Sequence, residues 1–214
     1  VVDLGCTVWL PQFFGKPGRR PDLGAFLTAT PAVCVNREFT AFATGRTPPV
    51  TRWLRALAAR AHDECGGPGV GAIGMCFTGG FALGMMVDER MLAPVLSQPS
   101  LPIVVGATRR RGLPISPEDL DAVRTRIDAG ACVLGLRFSG DPLCPPERFE
   151  ALREALGDGF IDVEIDSSPD NPWGIRSKAH SVLTEDLVSY DPEHPTAIAL
   201  GRVLDFFRTR LVSP

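Results

Sequence analysis

Between Gly69 and Met86 the chain carries no charged residue; the stretch reads GVGAIGMCFTGGFALGMM. Its opening, Gly69–Gly74, mixes glycine and alanine with Val70 and Ile73, the composition of a strand buried on both faces of a parallel sheet. Its closing part, Phe77–Met86, is apolar on every side, with Gly79, Gly80 and Gly84 letting neighbours approach closely. That fits a helix packed in the interior. A buried strand must therefore turn into a buried helix within two or three residues, which calls for an α/β architecture.

The remaining pattern agrees. Upstream, Thr51–His62 places Trp53, Leu54, Leu57, Ala58 and Ala61 on one helical stripe. Downstream come a short apolar segment at Met91–Leu96, a strand at Leu101–Val105 and a helix opened by Ile115-Ser116-Pro117-Glu118 that runs to Asp128. A strand at Cys132–Phe138, a helix at Pro146–Leu156, a strand at Phe160–Ile165 and a last helix at Pro195–Leu211 complete the order. The last helix is expected to bury Ile198, Val203, Leu204, Phe207 and Leu211. Near the start, Val1–Gly5 reads as a helical turn closed by glycine and Thr7–Pro11 as a strand ended by proline. Residues 15–49 read as loop with a helical piece around Arg37–Ala43. Strands alternating with helices predict a mainly parallel sheet with helices on both faces, in a single domain spanning 1–214.

Charge and cysteine content narrow the function classes. A net charge of -3 offers no surface for nucleic acid or an anionic membrane. The one dense basic run, Arg109-Arg110-Arg111, reads as a solvated loop, with binding of an anionic substrate as the minor reading. No stretch has the roughly 18–20 apolar residues of a membrane helix. Six cysteines without a CxxC pair or a signal peptide indicate reduced thiols in a cytoplasm. Three scattered histidines offer no zinc pattern, so no metal or cofactor is expected.

Cys76 falls on the strand-to-helix turn, where a side chain points out of the C-terminal edge of the sheet and the first helix amides face whatever is bound there. One reading is a small buried thiol filling a strand end. The other is a nucleophile, because the turn resembles the nucleophile elbow of the α/β-hydrolases with cysteine in place of serine. A thiol nucleophile needs a base, and the base needs a group to fix its tautomer. Asp141 stands just past the strand Cys132–Phe138, in a turn stiffened by Gly140 and Pro142. It is either a turn closer or the orienting acid. His180, in SKAHSV, lies on the loop beyond Phe160–Ile165, at the same sheet edge. His62, late in its helix, belongs to the opposite edge and suits a C-terminal helix cation. His194 stands directly before the last helix and reads as turn chemistry.

Taken in order, GMCFTGG, FSGDPLCPPERFEAL and SKAHSVL resemble the dienelactone hydrolases, a cysteine branch of the α/β-hydrolase fold. Leu10-Pro11-Gln12-Phe13-Phe14-Gly15 is similar to that family's PDLFG strand exit, with Gln12 in place of the aspartate. The resemblance runs from residue 4 to the final helix. It implies a Cys76, His180, Asp141 triad, an oxyanion donor in the Phe77 backbone N–H, and hydrolysis of a small-molecule ester or enol-lactone by a monomer or weak homo-oligomer. Three departures stand out. Thr78 precedes Gly79-Gly80, putting a side chain into the elbow. The family's first strands, with a second oxyanion donor and a carboxylate near the cysteine, would precede residue 1; with no initiating Met present, the expectation is that an N-terminal segment is missing. The helix Ile115–Asp128 is extra.

The implied chemistry is acyl transfer, in which a helix N-terminus and a neighbouring imidazolium favour the thiolate. A thioesterase or general carboxylesterase is the alternative within enzymes, and a non-catalytic or redox-active hydrolase scaffold the alternative outside them. Arg37, Arg46 and Arg52 are the arginines available to meet a substrate carboxylate.

Overall fold

Four apolar runs assemble side by side into one sheet in the computed structural model, which describes residues 1–13, 45–101 and 104–212. In chain order the elements are α1 (Pro49–Cys65), β1 (Val70–Met75), α2 (Gly79–Met85, entered through a 3-10 turn at Cys76–Thr78) and β2 (Met91–Ser97). Then follow α3 (Ala107–Arg111), α4 (Pro117–Asp128), β3 (Val133–Phe138), α5 (Pro146–Leu156), β4 (Phe160–Ile165) and α6 (Pro195–Leu211). The sheet order is β1-β2-β3-β4 and every pairing is parallel. All four C-terminal ends therefore open onto one edge, where ligands of such sheets gather.

Alternation along the strands sorts side chains into two cores, one on each face of the sheet. Val133 joins Leu54, Phe81, Leu83, Val123, Phe149 and Leu152 of α1, α2, α4 and α5. Leu134, Leu136 and Phe138 join Val203 and Phe207 of α6 and Ala179 and Val182 of the loop before it. Fully burying one Leu or Phe side chain contributes about 1.5–3 kcal/mol, so both layers are held mainly by apolar burial. At the start of α4, Ser116 Oγ accepts from Asp119 N at 3.2 Å with Pro117 in the first turn. At its end, Arg126 donates to the carbonyls of Met86, Asp88, Glu89 and Met91. The extra helix thus braces the turn between α2 and β2. Burial lowers the pKa of that guanidinium, with Asp88 and Glu89 opposing.

Several expectations need correction. The second strand is Met91–Ser97 rather than 101–105: Pro94 argues against a strand, but β2 pairs with β3 only from Val95 onward, so the missing N–H falls outside that ladder. Leu101, Val104 and Val105 lie in no strand, and Val105 is exposed. Thr7–Pro11 is irregular, with Leu10 exposed, and among the described residues no strand pairs with it. β1 is not buried on both faces: among the described residues it lies at the end of the sheet, and Ile73 and Met75 are more than a third exposed. The Arg109–Arg111 run is helical rather than loop. Arg110 makes a bidentate pair with Glu147 at 2.7 and 2.8 Å, and Arg111 pairs with Glu150 and Glu154. α6 presents Thr196, Ala199, Val203, Phe206 and Phe207 inward and leaves Ile198 half exposed, while on α1 Trp53 faces out. The helical piece around Arg37–Ala43 lies outside the described residues. Among the described residues no helix is long and apolar enough to cross a membrane.

Candidate active site

The glycines of GMCFTGG serve close packing. A Cβ on Gly74 would sit on the Thr78 carbonyl oxygen, one on Gly79 would come within 2.7 Å of Pro99 Cα, and one on Gly80 would overlap Pro114. That packing allows β1 to stop at Met75 and reverse at Cys76, whose φ of 52° is left-handed. For a side chain other than glycine this costs about 1–3 kcal/mol and is found at functional turns. Thr78, whose side chain enters the elbow, ties it. Its Oγ1 accepts from Met75 N at 3.0 Å and donates to Met75 O at 2.8 Å. Phe77 packs edge-on against Phe81 at 5.3 Å between ring centroids.

Asp141 lies three residues past the end of β3 and is only 2% exposed. Its Oδ1 accepts from Leu143 N at 2.9 Å, and its Oδ2 is 2.7 Å from Nδ1 of His180. Gly140 admits the histidine loop, since a Cβ there would overlap the Ser177 carbonyl oxygen. The same turn is pinned to β4's exit by Gly140 N donating to Ser167 Oγ and Ser139 N donating to Ile165 O.

His180 hangs on a long irregular loop that carries its own scaffolding. Asn171 donates to Ser168 O and Ile175 O and accepts from Trp173 N and Ile175 N. Asp186 accepts from the backbone N–H groups of His180 and Ser181, each at 3.0 Å, and pairs with Arg176 at 2.6 Å. Burial raises the Asp186 pKa, but Arg176 and the two amides outweigh it and hold it below the ordinary value.

On the far side of the His180 ring, Nε2 is buried without a well-formed hydrogen bond. Cys76 is close enough to act on its titration. Burial alone would lower the imidazole pKa. The hydrogen bond to Asp141 and the proximity of Cys76 overcome it, raising the value to about 10. An imidazolium is therefore held between a carboxylate and a thiol. Cys144 shows the contrasting case of a fully buried thiol beside Asp141: burial, aided by that negative charge, pushes it up to about 12 against Arg137 and Arg148. Burial raises Cys132 likewise, against Arg210.

The structure thus brings Cys76, Asp141 and His180 together. The other histidines are occupied elsewhere: His62 Nε2 contacts Gly67 O at 3.0 Å beyond the end of α1, near the start of β1. Buried His194 caps α6, its Nδ1 2.7 Å from Thr196 Oγ1 and accepting from Thr196 N, with Trp173 edge-on at 5.4 Å. Arg46 and Arg52 are exposed, and Arg37 lies outside the described residues. Two features escaped the sequence reading. Asp186 is one acid among many in a polar loop and carries no local signal. The buried polar run Ser97-Gln98-Ser100 was hidden by the misplaced second strand.

No family model matches the chain, and no curated protein does. Among solved structures it is similar to one titled "Putative Dienelactone Hydrolase", from Klebsiella pneumoniae subsp. pneumoniae MGH 78578, at 18% identity and a TM-score of 0.45. The likeness covers 74% of this chain, which spans 60% of that structure's length. At this level a likeness assigns no activity.

Proposed function

We propose that the chain is a hydrolase acting by acyl transfer on esters or enol-lactones, with Cys76 as nucleophile, His180 as acid and base, and Asp141 as the group that orients His180. The observation that carries this is the two-sided setting of His180. Its Nδ1 is 2.7 Å from the buried carboxylate, while its Nε2 is buried beside the thiol of a left-handed elbow residue. A satisfied core histidine would have a partner for both nitrogens.

In this reading the Cys76 thiolate attacks the acyl carbonyl carbon, an S–C bond forms, and the carbonyl becomes an oxyanion beside the Phe77 N–H. One such donor is worth about 2.7–4 kcal/mol. Collapse breaks the C–O bond, and His180 Nε2 passes its proton to the departing oxygen. Neutral His180 then takes a proton from water, whose oxygen attacks the thioester. The S–C bond breaks, the acid leaves, and the thiolate–imidazolium pair is restored. Asp141 fixes the tautomer throughout. An enol leaves more readily than an ordinary alkoxide, so a cysteine nucleophile favours the lactone over a plain alkyl ester.

The test is pre-steady-state. An activated aryl ester should give a burst of about one equivalent of acyl-enzyme, lost in Cys76→Ala and largely lost in His180→Ala with the fold intact by circular dichroism. Iodoacetamide should label Cys76 ahead of the other thiols. Uniform labelling of all cysteines with no burst would leave a scaffold whose thiol does no chemistry.

A further inference from the structure

Among the described residues, only two other than glycine have positive φ: Cys76 at 52° and Gln98 at 37°. Met75 pairs with Ser97 across β1 and β2, so each is the first residue past its strand, side by side at the edge that holds the candidate site. The elbow accounts for Cys76; the acyl-transfer steps make no use of Gln98. Left-handed strain at a long, unbranched polar residue persists only where its surroundings impose it.

Those surroundings are specific. Gln98 is 2% exposed, between buried Ser97 and Ser100. Its backbone N–H donates to Leu136 O at 2.6 Å, and its carbonyl accepts from Ser100 Oγ at 2.9 Å. The Ser97 hydroxyl donates to its side-chain Oε1. The left-handed turn folds the chain back over the elbow, where Pro99 lies against Gly79 and Ser100 N donates to the Cys76 carbonyl at 2.9 Å. An extended residue at 98 would carry the chain onward and remove that donor.

We propose that Gln98 is a positioning residue for Cys76: its left-handed turn, tethered through the side-chain amide to Ser97, sets the Ser100 N–H on the Cys76 carbonyl and so holds the elbow peptide that aims the thiol at His180. The proposal rests on the acyl-transfer reading of Cys76. Its consequences separate two substitutions. Gln98→Ala keeps the steric penalty of a left-handed residue and loses the tether, whereas Gln98→Gly loses both together.

Two readouts decide it: exchange of the Ser100 amide followed by NMR, and the pH profile of Cys76 alkylation by iodoacetamide. In Gln98→Ala the Ser100 amide should exchange about tenfold faster or more, and the profile should depart from that of wild type. Gln98→Gly should match wild type in both. If the two variants behave alike, whether both intact or both impaired, the proposal is overturned. Should Gln98→Ala fail to fold, Gln98→Gly alone decides: retained Ser100 protection supports the proposal and its loss overturns it. A wild-type Cys76 no faster than the other thiols would instead sink the acyl-transfer reading, and Ser100 exchange would still judge the turn.

Discussion

Replacing Asp141 by Asn keeps the shape of the buried turn and removes the charge that His180 leans on. Raising an imidazole from 6.5 to about 10, at about 1.4 kcal/mol per tenfold change in proton affinity, corresponds to about 5 kcal/mol, shared between Asp141 and Cys76. Removing one member of a buried pair typically costs about 3–5 kcal/mol, in agreement. The folded-state value lies above the unfolded one, so this stabilisation is complete below pH 6.5 and disappears as pH rises through about 10. Urea unfolding of wild type and Asp141→Asn should therefore differ by several kcal/mol at pH 6 and converge above pH 10. NMR titration of the His180 ring should give a wild-type midpoint far above 6.5 and a lower one in the variant. Acyl transfer should fall by about 10³–10⁴-fold, the scale for an unoriented histidine. A wild-type ring titrating near 6.5, or a stability difference unchanged between pH 6 and 10.5, would refute the account.

Three further outcomes follow from neighbouring geometry. Asp186→Ala should destabilise the fold by about 1.5–3 kcal/mol at pH 7, since a carboxylate accepting from two amides and Arg176 is lost; because the Asp186 pKa is depressed, the gap should close in unfolding curves as pH falls below about 4. Gly140→Ala should push the Ser177 carbonyl away and part His180 from Asp141. It should cost about 1–3 kcal/mol in thermal unfolding together with most of the esterase burst. Cys144 should resist alkylation in the native protein at pH 8 and react once urea unfolds it, because burial pushes its pKa to about 12.

Local signals carried much of this protein. Ser116-Pro117 opened a helix where the sequence placed it, and α5 and α6 span the residues their periodicity marked, because capping and helical spacing act within a few residues of the chain. The order Cys76, Asp141, His180 was legible because two of them follow apolar strand runs closely and the third lies on a loop at the same edge; parallel strands send all such exits one way. Non-local contacts decided the rest. Whether 91–97 or 101–105 becomes the second strand depends on which run finds β1 and β3 beside it, and Pro94 is tolerated only because of where the β3 pairing begins. The exposure of β1 depends on its place at the end of the sheet formed by the described residues. The left-handed Gln98, whose N–H donates to Leu136 O, and the high proton affinity of His180 arise between residues far apart in the chain. Burial and electrostatic pairing depend on distance in space, which the order of residues does not express.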